Sequence, residues 1–368
     1  MMQNTKQYLL GIDIGHHEIR AELFAVTDKG SHINSTPLYK IKEIPQPHLN
    51  DHVAQIESII IRAAEEAKKQ NGRLAGIGIS APATFTKDGV VRAGTDARFA
   101  AFNGVNLRKA YQNALASKYN AIASMNTAQA DTYVLNKNVP IKIENRHNVM
   151  LASMFEDMKS PNAGEYKKDY FPPNAMNGKW VSAFLIGKRM GQASAQIDPN
   201  GKELHFVKKN LLEGLDVTID NEDRETLRPA LTPAAFDALS HNPAMSAKDA
   251  FSYETILKMA GVKHYKDINC TDPAHMAALA FAGKYFGRTL ISLQQREQKK
   301  GEKGHIPYAY LLGGNVGSDN TGTIILKAAT EELEKQEVKD IRLVRMHKKK
   351  EVPLAAACFA LPQLERGR

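Results

Sequence analysis

Three glycine-bearing segments carry residue types suited to anion chemistry. Gly11-Ile12-Asp13-Ile14-Gly15 and the stretch Gly187 to Gly191 each close an apolar run, and Gly313-Gly314 closes the run Tyr308 to Leu312. A glycine at such a turn has no Cβ to hold a ligand away, and backbone N–H groups in a tight turn form a nest for phosphate. Asp13, two residues before Gly15, supplies a carboxylate of the kind that holds Mg²⁺, usually through water. Gly313-Gly314 leads through Asn315-Val316-Gly317 into a helical pattern, whose positive end favours a phosphate or adenine-ribose group. On spacing alone a plain turn is the better reading of the first two loops and an equal one for Gly313-Gly314, so the pairing of the first two loops counts for more than either loop. His16 and His17 adjoin the first loop. Neighbouring residues on an extended chain point apart, however, and no third ligand has suitable spacing, so no metal is assigned to them. In the second loop Lys188 and Arg189 offer charge and bidentate hydrogen bonding to phosphate, or else form a solvated face.

The elements that must position these loops follow one order twice. Tyr8 to Ile14 is a short apolar run, Ile19 to Val26 alternates, and Thr27-Asp28-Lys29-Gly30 supplies a turn before a third extended stretch. From Asp51, read as an N-cap, Val53, Ile56, Ile60, Ala63 and Ala67 recur at helical spacing until Asn71-Gly72, and Leu74 to Ser80 then has the length of a buried strand. A second meander starts near Trp180 with Val181 to Gly187, Ser194 to Ile197 and Glu203 to Phe206. Helical Pro273 to Gln295, strand Tyr308 to Leu312, helical Ser318 to Lys335 and extended Ile341 to Met346 follow. This is a duplicated domain. Between the copies, about 136–178 is rich in Pro, Asn and Lys and reads as an insertion or connector. Residues 210–259 are broken by Pro229, Pro233 and Pro243.

Composition bounds the rest. A chain of 368 residues is long enough for two lobes, and 43% hydrophobic with 24% charged residues is ordinary for a globular protein. Cys270 and Cys358 have no Cys-x-x-Cys spacing, so neither a disulfide framework nor a structural zinc is expected. No apolar run reaches the length of a membrane span and the first residues lack a signal-peptide layout, which points to a cytoplasmic protein and leaves signal-less secretion open. The net charge of +9 favours anionic partners. Lys299-Lys300 and Lys348-Lys349-Lys350 lack interleaved aromatics and read as solvated loop faces, so no nucleic acid is expected.

Several segments resemble the ROK family of bacterial sugar kinases and repressors, relatives of hexokinase and actin. Gly11 to Phe24, GIDIGHHEIRAELF, is similar to the family's first phosphate loop at Gly11, Asp13, Gly15 and Ile19. Gly76 to Pro82 with Gly89 to Val91, Phe102 to Leu107, Tyr310 to Gly317 and Pro353 to Ala360 resemble further family segments. The resemblance implies an α/β protein of two duplicated RNase H-like βββαβα lobes with an interdomain cleft. The N-terminal lobe would span 1–123, completed by a C-terminal helix in 352–368, and the C-terminal lobe 124–351. It also implies ATP with Mg²⁺ at Asp13, and loops formed by Gly15, His16, His17, Gly187, Lys188, Arg189, Gly191, Gly313 and Gly314 around the nucleotide.

The departures from the family fall where chemistry would be. Its Gly-Thr after Gly15 is here His16-His17, and Gly-Thr-Gly-x-Gly is here Gly187-Lys188-Arg189-Met190-Gly191, so bulk enters loops that need backbone access. Its sugar-site Asn-Asp-Ala-Asn corresponds to Asn126-Thr127-Ala128-Gln129, which puts Thr127 at the position of the general base. A threonine hydroxyl cannot take that proton at neutral pH, and losing a positioned base removes about 10²–10⁴ in rate. Asp131, four residues on, would reach the same face if the segment is helical. Asp96 lies near the family's sugar-contacting Asn. The family's cysteine cluster for zinc is absent. Two functions follow from the resemblance, an ATP-dependent sugar kinase, impaired at its base, or a catalytically inactive binding protein for a nucleotide, sugar or other anionic ligand; a divergent enzyme on the same fold is a third reading, since one fold hosts many functions. Its partner would be a small molecule, with room for a homodimer.

Overall fold

The structure is a computed structural model. It describes residues 6–27, 33–94, 97–125, 138–159, 176–186, 190–201, 203–207, 211–212, 214–250, 252–301, 306–313, 319–338, 341–345 and 352–361. The chain divides into two compact units, Met1–Ala163 with Lys350–Arg368, and Gly164–Lys349.

In the first unit the apolar segments become β1 (Lys6–Ile14), β2 (Ile19–Ala25) and β3 (Tyr39–Glu43), a meander followed by helix α1 (Leu49–Lys69) and strand β4 (Gly72–Ala81). The helix lays Ile56, Ile59, Ile60, Ala63, Ala64 and Ala67 on the sheet as one buried face, the outcome of helical spacing. It starts three residues earlier than expected. His48 is the extended N-cap residue and Asp51 sits in the first turn, where its charge suits the helix dipole. Asn71, at φ 57°, ends it as foreseen. A small β5–β6 pair (Ala83–Phe85, Val91–Gly94), the short α2 (Ala97–Ala100) and the long α3 (Leu107–Met125) lead to β7 (Ile141–Asn145) and α4 (Arg146–Lys159).

The expected connector over about 136–178 is therefore corrected in its first half. Ile141 and Ile143 are buried, and β7 pairs in parallel with β4 as the fifth strand of the sheet. The first unit thus extends past the expected boundary at 123/124.

The second unit repeats the plan with β8 (Trp180–Ile186), β9 (Met190–Ile197) and β10 (Leu204–Phe206). Residues 210–259 fold into the pair β11 (Asp216–Thr218) and β12 (Ala244–Ser246) with α5 (Asn221–Leu227), α6 (Pro233–His241), α7 (Ala247–Ala250) and α8 (Tyr253–Met259). The prolines there mark element starts: Pro233 follows the N-cap Thr232, and Pro243 immediately precedes β12. Helix α9 (Pro273–Gln298), capped by Asp272, packs on α10 (Asp319–Lys335), and β13 (Pro307–Gly313) and β14 (Leu343–Arg345) complete the sheet.

The two sheets have matching strand orders, β3-β2-β1-β4-β7 and β10-β9-β8-β13-β14, antiparallel through the meander and parallel beyond it. The duplication read from the sequence is thus present strand for strand.

The last helix, α11 (Val352–Ala360), returns to the first unit and lies on β1 and β4. Its residues Ala355, Ala356, Ala357 and Ala360 are buried, and the strands beneath it carry glycine for the same reason. A Cβ on Gly11 would lie 1.7 Å from the carbonyl oxygen of Pro353, and one on Gly78, its register partner, 1.7 Å from that of Ala356. Small residues on both surfaces let helix and sheet backbones meet, so Gly11 serves packing.

Candidate functional site

The C-terminal end of β1 gathers the charged residues of the first unit. The hairpin pairs Ile14 with Ile19 and Asp13 with Arg20, while the parallel register sets Asp13 beside Ser80 of β4. Strand β7, next to β4, delivers Arg146 as the first residue of α4.

These side chains converge on one carboxylate. Asp13 is 2% exposed. Its Oδ1 accepts from Ser80 Oγ at 3.2 Å and from Arg146 Nη2 at 2.9 Å. Its Oδ2 accepts from Arg146 Nη2 at 2.9 Å and from Arg20 Nη2 at 2.8 Å. Four hydrogen bonds use the roughly four lone-pair positions that a carboxylate has.

The turn itself is held as firmly. Gly15 N–H donates to the carbonyl of Glu18 at 2.8 Å, and the Gly15 carbonyl accepts from Arg98 Nη2 at 2.9 Å. A Cβ on Gly15 would lie 2.9 Å from the Glu18 oxygen, so the tight turn by itself requires glycine here. Glu18 bridges Lys42 at 2.6 Å and Arg20 at 3.5 Å, and the Lys42 ammonium holds its carboxyl below the usual range. His16 and His17 form the exposed tip, with ring centroids 6.3 Å apart.

Arg98 also reaches the core. Beneath it His52 is buried against Phe99 and Phe102, with Nε2 2.8 Å from the Tyr111 hydroxyl and no partner for Nδ1 among the described residues. Burial first, and then the Arg98 charge, push the His52 pKa down to about 4.

Asp13, to which the resemblance assigns Mg²⁺, is engaged in this structure by Arg20, Arg146 and Ser80. A divalent cation at that carboxylate would have to displace two guanidinium groups or sit beside them against Coulomb repulsion. Among the described residues, no group of three or more His, Cys, Asp or Glu side chains could hold a metal. One donor of the expected nest, the Gly15 N–H, is engaged within the turn.

In the second unit, Gly191 and Gly313 flank Leu185 on either side, opposite it in the β9 and β13 registers. The structure thus brings these two expected loop residues to one end of one sheet. Gly187, Lys188, Arg189 and Gly314 lie outside the described residues, as do Asp96, Asn126, Thr127 and Asp131.

Arg20 and Arg146 are the residues that sequence reasoning missed. Hairpin arithmetic could have found Arg20, since a four-residue loop at 15–18 pairs 13 with 20. Arg146 was hidden because β7 is short and lies in a polar, proline-bearing stretch.

No protein-family profile matches the sequence, and no curated protein matches it. Solved structures do. A ROK family protein from Streptococcus pneumoniae, in complex with sucrose, is 14% identical with a TM-score of 0.55, covering 98% of this chain and all of the other. The ROK hexokinase from Thermus thermophilus is 17% identical with a TM-score of 0.52 and the same coverage. The glucokinase from Balamuthia mandrillaris, in complex with glucose, is 14% identical with a TM-score of 0.55, covering 98% of this chain and 94% of its own. The similarity spans both units, and it establishes the chain as having the actin-like fold of the ROK sugar kinases and glucokinases.

Proposed function

We propose that this protein is a binding protein on the sugar-kinase fold, which takes up a sugar or anionic small molecule and has lost metal-dependent phosphoryl transfer. The observation that carries this reading is the saturation of Asp13 by Arg20, Arg146 and Ser80. Phosphoryl transfer depends on charge stabilisation by a bound metal and on a positioned base. Here the carboxylate of the first loop is neutralised by two arginines, and the resemblance puts Thr127 where the base would stand. Support for a sugar ligand comes from the shared fold: the Streptococcus protein was solved with sucrose and the Balamuthia enzyme with glucose.

The kinase reading keeps one point in its favour, the paired glycines Gly191 and Gly313 at one sheet end. It requires Asp131 to act as base and Asp13 to be released from its arginines. A hexose panel separates the two readings. A ligand that binds only the folded state raises the melting temperature. The expected result is a rise with at least one sugar, with no sugar phosphate formed from ATP and Mg²⁺. Steady sugar-dependent ATP turnover would replace this reading with the kinase.

A further inference from the structure

Strand β3 ends the first sheet on its side. It is bonded to β2 along one edge, and among the described residues no strand pairs with its other edge. Such an edge presents a row of unused backbone N–H and C=O groups. Ile41 is buried toward α1, Tyr39 packs against the same core, and Glu43 accepts from Gln55 of α1 at 2.8 Å. Lys40 and Lys42 therefore face the other way, by the two-residue period of a strand. Leu38 and Ile44 immediately flank β3 and are 47% and 79% exposed, two of the four large hydrophobic side chains exposed among the described residues. The segment Pro37-Leu38-Tyr39-Lys40-Ile41-Lys42-Glu43-Ile44-Pro45 is nearly a palindrome about Ile41.

We propose that a second copy of this chain docks on this edge, β3 pairing antiparallel with its counterpart about a two-fold axis at Ile41. The two five-stranded sheets then join into one. A two-fold contact is isologous, residue i on j and j on i, so the strand has to complement its own reverse. The palindrome meets that condition: each exposed Leu38 comes opposite the exposed Ile44 of the second copy, and Ile41 meets Ile41 on the buried face. Pro37 and Pro45 have no N–H and end the ladder at both limits, so this register is the one that uses the whole strand. A slip by one residue would set Ile41 against a lysine and mismatch the faces. Lysines commonly guard such edges. Here Lys42 Nζ is 2.6 Å from Glu18 and Lys40 Nζ 3.5 Å from Glu22, while Arg20, also 3.5 Å from Glu18, is held by Asp13. Both lysines thus bring a carboxylate to the junction, which softens the opposition of Lys40 to the second Lys42.

This pairing is independent of which ligand the protein takes up. Sedimentation velocity of the full chain over a wide range of concentration tests it. One strand per copy makes a small interface, so a reversible dimer is expected, with a dissociation constant of about micromolar or above. Ile44→Lys, at an exposed position that spares the fold, is expected to weaken it about tenfold or more, because a two-fold contact carries each substitution twice. Cysteine cross-linking reads the register. Opposed side chains in antiparallel strands have Cβ atoms about 5 Å apart, whereas the two copies of Leu38 would lie about 20 Å apart along the strand, and likewise the two of Ile44. Mild oxidation of a mixture of Leu38→Cys and Ile44→Cys is therefore expected to give a covalent heterodimer. Neither variant alone is expected to do so, nor the unsubstituted chain with Cys270 and Cys358. A chain that stays monomeric at the highest concentration would overturn the proposal and leave this edge to an extended segment of a different protein. A dimer unchanged by Ile44→Lys, a mixture that does not cross-link, or cross-linking in Leu38→Cys alone would overturn it as well.

Discussion

Arg20 stands directly across the β1–β2 hairpin from Asp13, with its Nη2 2.8 Å from Oδ2. The pairing follows from the hairpin register, which places a positive charge against the carboxylate by a contact local in sequence. Arg146, 133 residues away in sequence, then closes the second side.

Because Asp13 is buried, removing either arginine leaves a charge only half compensated. Arg146→Met is expected to lower stability by about 1–2 kcal/mol, less than for a fully buried pair because Arg20 remains and Arg146 is half exposed. Urea unfolding checks this, and the loss should be smaller in Arg146→Lys.

The contact between α11 and the first sheet is backbone to backbone at Gly11 and Gly78. Gly11→Ala forces a Cβ into the Pro353 carbonyl and is expected to cost about 3 kcal/mol, at the upper end for overpacking. Limited proteolysis should then cleave near residue 351 first, since α11 can detach while the strands stay paired.

Some of this was legible in the sequence. The apolar runs Tyr8 to Ile14 and Leu74 to Ser80, the amphipathic stretch from Val53 to Ala67 and the repeated meander each specify one element by a period that physics forces. What escaped were features set by contacts distant in sequence. Gly11 looks like part of a phosphate loop until α11 lies on it, and Ile141-Lys142-Ile143 is too short to be recognised as a strand until β4 pairs with it. Asp51 has the right chemistry for an N-cap, yet α1 begins at Leu49, after His48, without a side-chain cap.

His52 gives the first unit a pH dependence of definite sign. Its pKa falls from 6.5 to about 4 on folding, so between those values the unfolded chain binds the proton and the folded chain does not. The contribution is complete above pH 6.5 and is lost as pH falls through 4, amounting to at most about 3 kcal/mol. Chemical denaturation at a series of pH values should show the slope, and His52→Phe should reduce it without abolishing it, because burial and then the Arg146 charge push His147 down to about 4 as well.

In the second unit Arg288 joins three elements. It donates to both oxygens of Asp220 at 2.9 and 2.7 Å, to Glu332 at 2.8 Å and to the carbonyl of Thr218 at 3.2 Å. Arg288→Met strands the buried Glu332 and is expected to cost about 3 kcal/mol. The same arginine holds Asp220 down at about 2, so this part of the stability is present above pH 3.8 and disappears as pH falls through 2. Acid unfolding of Arg288→Met should show a smaller low-pH component, with Lys284 still 3.2 Å from Asp220.

The central claim is that the first loop no longer supports metal-dependent transfer, and restoring the missing base tests it most directly. Formation of sugar phosphate from ATP and Mg²⁺ by Thr127→Asp, measured across a hexose panel, is predicted to stay at background. A base alone gives nothing when Asp13 is committed to Arg20 and Arg146. A rise of about 10²-fold, the usual worth of a general base, that Asp13→Asn then abolishes would contradict the account.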